Sequence, residues 1–97
     1  MIRHTVAFTL KHAPGSAEEA AFLGDAKTIL AAIPGVQDFE QLRQISPKTD
    51  FAFGFAMRFA DEAAYSAYND HPDHTAFVRD RWLVEVERFM ELDYLSL

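Results

Sequence analysis

Seven consecutive residues, Tyr68-Asn69-Asp70-His71-Pro72-Asp73-His74, place a phenol and two imidazoles side by side; His4 and the Asp93-Tyr94 pair add groups from the two ends of the chain. Imidazole titrates near neutrality and a phenol donates a strong hydrogen bond, so the set suits proton transfer in a small site. Pro72 is placed to open a helix, which puts His74 in its first turn. There the positive helix end disfavours imidazolium and leaves the neutral ring that a base requires. Each residue also has a plain structural role. His74 at a helix start also satisfies free backbone groups, and Tyr68 is equally a core phenol with one satisfied hydroxyl. His71, directly before the proline, reads as a cap as well as a ligand contact. His4 lies among Ile2, Val6 and Phe8, where a hydrogen-bonded structural histidine is common. Asp93 has the chemistry to orient an imidazole.

Other chemistries find little support. His71-x-x-His74 has a possible i,i+3 ligand spacing that His4 and Asp93 would complete, but it straddles a proline, and no metal is expected. The chain has no cysteine, so disulfides, thiolate nucleophiles and Cys-ligated metals are excluded. Its serines stand in no nucleophile elbow and its glycines in no phosphate loop. No cofactor is implied. A net charge of −6 argues against nucleic acid, whose phosphates need a basic surface. No apolar run approaches the roughly 20 residues of a membrane helix. The N-terminus enters a strand with no signal-peptide core, so a soluble cytoplasmic protein is expected.

The elements that must position these groups read as strand, helix, strand, strand, helix, strand. Ile2, His4, Val6, Phe8 and Leu10 alternate along the first strand. Ser16 and Glu19 form a capping-box signal for a helix to about Ala32, with Ala20, Leu23, Ala26, Ile29, Leu30 and Ile33 as its apolar stripe. Pro34-Gly35 ends it. A second strand is expected over 36–45. A third, over 51–60, carries Phe51, Phe53, Phe55, Met57 and Phe59 on one face and mostly Ala and Gly on the other, so it should be central. Asp61 caps a helix over 62–69, a further helix follows Pro72 to about Leu83, and the last strand covers about 85–95. His12, at the end of the first strand, is expected at the surface.

This order in one 97-residue domain is the ferredoxin-like βαββαβ arrangement, an α+β fold with helices on one face of a four-stranded antiparallel sheet. So small a domain buries roughly 60–65% of its unfolded surface, yet 49% of the residues are apolar and nine are Phe. The small apolar side chains opposite the Phe row favour close sheet-to-sheet approach. The expected partner is therefore a second copy of the chain, the two sheets closing into one barrel.

Arg3-His4, Ile33-Pro34-Gly35-Val36, Tyr68 through His74 with Phe77, and Asp93-Tyr94 occur here in an order and spacing that resembles the stress-responsive α/β-barrel (Dabb) family over essentially the whole chain. The resemblance implies a homodimeric barrel. One branch, the olivetolic acid cyclase-type polyketide cyclases, performs an intramolecular aldol condensation with a histidine base and a carbonyl-binding tyrosine. Those roles fall on His74 and Tyr68, with His4, His71 and Asp93 matching the pocket region. Asn69, Asp70 and Asp73 are more polar than that branch expects, which points away from the same long-tailed substrate. The expected function is binding of a small, mostly apolar oxo compound between sheet and helices, with cofactor-free cyclisation or isomerisation as its chemistry. The alternatives are a non-catalytic stress-response or ligand-binding dimer and a cofactor-independent monooxygenase-like barrel. A void of about 300 Å³ or more beside Tyr68 and His74 would make a small-molecule site credible.

Overall fold

In the first strand, β1 (Ile2–Leu10), the alternation of the sequence becomes an alternation of burial: Ile2, His4, Val6, Phe8 and Leu10 are buried, and the residues between them face the other way. The computed structural model describes residues 1–97. Helix α1 (Ala17–Leu30) starts at Ser16, whose Oγ accepts the Glu19 N–H at 3.2 Å, while the Glu19 carboxylate accepts from Gly15 N–H rather than from Ser16. Its buried stripe is Phe22, Ala26 and Leu30, and Ala20, expected within it, is exposed. The large Phe22 ring sets that rotation, because it packs between Phe8 and Phe77 at centroid distances of 6.1 and 5.7 Å. Gly35, at φ +92°, supplies the left-handed turn that leads into β2 (Gln37–Arg43).

Strand β3 (Phe53–Phe59) buries Phe53, Phe55, Met57 and Phe59 against the helices. The order β2-β3-β1-β4 makes β3 and β1 central, and all pairings are antiparallel. Both β2 and β3 are shorter than their sequence limits; Asp38, at φ +52°, sits where the β2 register shifts. The opposite sheet face is lined by Thr5, Ala7, Gly54 and Ala56, with Leu42, Met90 and Leu92 left 44–52% exposed.

Asp61 caps α2 (Glu62–Asp70) by accepting the Ala64 N–H at 2.8 Å. His71 is extended, as a residue before proline must be, and α3 (Pro72–Phe77) begins there. The chain then widens into a π-helical turn, Val78–Trp82, in which the Leu83 N–H reaches back five residues to the Val78 carbonyl. One short turn, α4 (Leu83–Glu85), leads into β4 (Val86–Tyr94). Arg81 anchors the wide turn through Asp25 of α1 (2.6 Å) and Glu85 (2.5 Å). Glu85 in turn holds His12 at 2.7 Å, so His12 is a partly buried clamp residue rather than the surface group expected from sequence. No helix is long and apolar enough to cross a membrane.

Candidate functional site

A cavity of about 250 Å³ lies between sheet and helices, slightly under the size anticipated from sequence. Its floor is His4 and Val6 of β1, Phe55 and Met57 of β3, and Phe89 and Glu91 of β4; Tyr68, His74, Phe77 and Trp82 form the helical side. The lining is mostly apolar, with the polar groups gathered at the His4–Tyr68–His74 end.

His74 stands in the first turn of α3, and its Nδ1 lies 3.1 Å from the Asn69 carbonyl in the last turn of α2. A carbonyl only accepts, so Nδ1 carries a proton, and in the neutral ring the lone pair is left on Nε2. That nitrogen has no partner in the protein, and no buried side-chain nitrogen or oxygen is left sealed and unsatisfied, so Nε2 meets accessible space. Burial lowers the His74 pKa first, the bond to Asn69 opposes this, and a charge on nearby His4 lowers it further. The net effect favours the neutral ring. Tyr68 packs against it at a centroid distance of 4.4 Å. Although Tyr68 is only 2% exposed, its hydroxyl makes no hydrogen bond within the protein. A core phenol with a satisfied hydroxyl was the plain alternative, and this is not one. Burial, then the charge of Glu91, raises its pKa, so the group stays a donor.

The remaining sequence candidates divide. The register places His4 opposite Asp93, which puts Asp93 on the helix face, a point its alternation alone left open. His4 Nδ1 meets Asp93 Oδ1 at 2.6 Å. His71 lies apart from the cavity: its Nδ1 accepts the Asp73 N–H at 3.1 Å and caps α3. Two residues absent from the sequence reading complete the constellation. The Tyr65 hydroxyl lies 2.7 Å from Asp93 Oδ2, 3.1 Å from Glu91 Oε1 and 3.0 Å from His4 Nδ1. Its proton is held upward in pKa by burial first, then by the Asp93 hydrogen bond and the charge of Glu91. Tyr65 precedes Tyr68 by three residues and so shares its helix face; Glu91 shares the parity of Asp93. Those spacings were the available signals. Potential ligand atoms of His4, Glu91 and Asp93 lie within 4.8 Å of one another, and the Tyr65 hydroxyl stands among them.

Residues 2–96 match the family model of the stress responsive A/B barrel domain. The chain belongs to the Dabb family. A Dabb family protein of Mesorhizobium loti with a ferredoxin-like fold is 71% identical, with 99% of this chain and 96% of that one covered and a TM-score of 0.98. More distant structures share the Dabb fold. A dimeric ferredoxin-like protein of unknown function from Thermobifida fusca is 19% identical at TM-score 0.80, covering 98% of this chain and 90% of its own. The hydroxynitrile lyase of Passiflora edulis is 15% identical at TM-score 0.82, covering 99% and 93%. No curated protein matches this Dabb chain.

Proposed function

We propose that this Dabb protein is a homodimer that binds a small, mostly apolar oxo compound in the cavity and acts on it without a cofactor, as a lyase, cyclase or isomerase. The observation that carries the reading is the packing of His74, its Nδ1 held by the Asn69 carbonyl and its Nε2 free, against a buried Tyr68 whose hydroxyl has no partner. His74 takes a proton from the carbon beside the carbonyl; the C–H electron pair becomes the enolate, and Tyr68 hydrogen-bonds the enolate oxygen. A positioned base contributes about 10²–10⁴-fold, and one oxyanion donor about 10²–10³-fold. A cavity of about 250 Å³ limits the ligand to small molecules. The lyase of Passiflora edulis supports the view that this scaffold can host lyase chemistry. The homodimer rests on the exposed apolar residues of the open sheet face and on the dimeric relatives of the same fold.

The test is deuterium exchange into acetophenone, cyclohexanone and ethyl 3-oxobutanoate, followed by proton NMR in heavy water. At least one compound should exchange faster than in buffer, with the acceleration lost in His74→Gln and reduced at least about tenfold in Tyr68→Phe. Saturation-transfer binding without exchange would favour the non-catalytic ligand-binding dimer. Acceleration that survives His74→Gln refutes the mechanism.

A further inference from the structure

We infer that Glu91 is a specificity-determining residue of the cavity: it admits uncharged carbonyl compounds, ketones and esters, and turns away their carboxylate counterparts. This rests on the reading of His74 and Tyr68 above and names the class of substrate that site accepts. Glu91 lies on β4 opposite Val6, two residues from Phe89 and two from Asp93, with which it shares a strand face. It lines the cavity while staying exposed on an edge strand, so it stands where the chamber meets solvent.

Nothing balances the charge that Glu91 brings. It is the one acid among the residues lining the cavity, and no Lys or Arg is among them. Its single hydrogen bond in the protein is to the Tyr65 hydroxyl, 3.1 Å from Oε1, and that hydroxyl lies nearer to Asp93, at 2.7 Å. One phenol proton thus serves two carboxylates, and the Glu91 Oε2 is left without a partner. His4 turns its Nδ1 to Asp93, at 2.6 Å, rather than to Glu91. Burial disfavours the cationic form of His74.

The charge also reaches the reactive end. At Tyr68, burial raises the pKa first and Glu91 adds to it; at His74, which burial lowers, Glu91 acts in the raising direction. The rest of the wall is hydrocarbon, with Trp82 set edge-on to Phe89 at a centroid distance of 5.6 Å. An ester or ketone loses little on entering such a space. A carboxylate gives up its hydration, finds no cation, and meets a like charge. Two like charges about 6 Å apart, in surroundings between bulk water and a protein surface, oppose each other by roughly 3- to 100-fold in occupancy. The exposure of Glu91 points to the middle of that span, about tenfold.

The test compares two compounds that differ in charge and little else, methyl 4-oxopentanoate and 4-oxopentanoate, near neutral pH. Deuterium exchange beside the ketone is followed by proton NMR in heavy water, and the acceleration over buffer is read as a ratio of ester to acid. The native protein should favour the ester about tenfold or more. Glu91→Gln keeps an acceptor for Tyr65 and loses only the charge; in this folded variant the ratio should fall at least about threefold. Equal acceleration of acid and ester in the native protein, or a ratio unmoved by Glu91→Gln, overturns the charge filter. If neither compound exchanges, the His74 mechanism falls by itself, and saturation-transfer NMR on the same pair decides this inference. Binding of the ester over the acid, with the acid gaining in Glu91→Gln, upholds the filter. Equal binding of the two overturns it, and binding of neither overturns the ligand site and the filter together.

Discussion

Two tyrosines one helical turn apart should respond in opposite ways to loss of a single oxygen atom. Tyr65→Phe removes a hydroxyl lying 2.7 Å from Asp93, 3.1 Å from Glu91 and 3.0 Å from His4. Hydrogen bonds to charged groups are worth about 1.5–3 kcal/mol. Asp93 is partly exposed, and solvent screening reduces the expected loss to about 1–2 kcal/mol. The ring itself is retained in this variant and would keep its stacking on Phe59. For a domain of this size the fall in Tm is about 4–15 °C. Tyr68→Phe removes a hydroxyl with no protein partner from a side chain that is only 2% exposed. No bond is broken and no acceptor is orphaned, so stability should stay within about 0.5 kcal/mol of the native value. The assay is urea unfolding followed by circular dichroism at one fixed protein concentration, because association couples to stability. A loss above about 1 kcal/mol in Tyr68→Phe would show that its hydroxyl is structural, and the proposed role as a substrate donor would fall with it. A neutral Tyr65→Phe would equally dissolve the four-residue cluster around His4.

Three further outcomes are expected. The His74 pKa is lowered on folding from the ordinary 6.5, so the unfolded chain takes up its proton first. Stability present above pH 6.5 should therefore be lost as the pH falls below it towards the folded pKa, and His74→Gln should flatten the curve over that window in pH-resolved denaturation. His71→Ala should cost about 0.5–2 kcal/mol through loss of the α3 cap; a variant of unchanged stability would show that the cap contributes nothing. Leu92→Glu places a charge on the open sheet face and should convert a dimer to monomer by light scattering; a native protein that is monomeric at micromolar concentration refutes the barrel dimer.

The sheet was legible because its central strands are extreme. Phe53, Phe55, Met57 and Phe59 admit only one buried face, and the alternation from Ile2 to Leu10 places His4 on that same face. Caps were legible too, since Ser16, Asp61 and the His71-Pro72 step each offer local chemistry that needs no tertiary contact. The site was only half legible. His74 and Tyr68 were visible as types, but their meaning depends on what their polar atoms fail to touch, and sequence holds no record of an absent bond. Tyr65 and Glu91 were hidden for another reason. Their roles come from the β1–β4 register, which sets His4 beside Asp93 across 89 positions of chain. The stripe of α1 differs from its sequence pattern because small apolar residues count alike in a periodicity, whereas the packed helix turns on one large ring, Phe22.

The wide turn from Val78 to Trp82 has a consequence for how such cavities diversify. A π-turn is an α-helix that has absorbed one additional residue without losing its axis, so every side chain beyond it is rotated by about 100° relative to the uninterrupted helix. Trp82 and Leu83, both on the cavity wall, owe their facing to that offset. Deleting a single residue there would leave α3, the sheet and both histidines in place while presenting a different side chain to the ligand. The volume and lining of the chamber are thus adjustable by length, in steps of one residue, independently of His4, Tyr68 and His74.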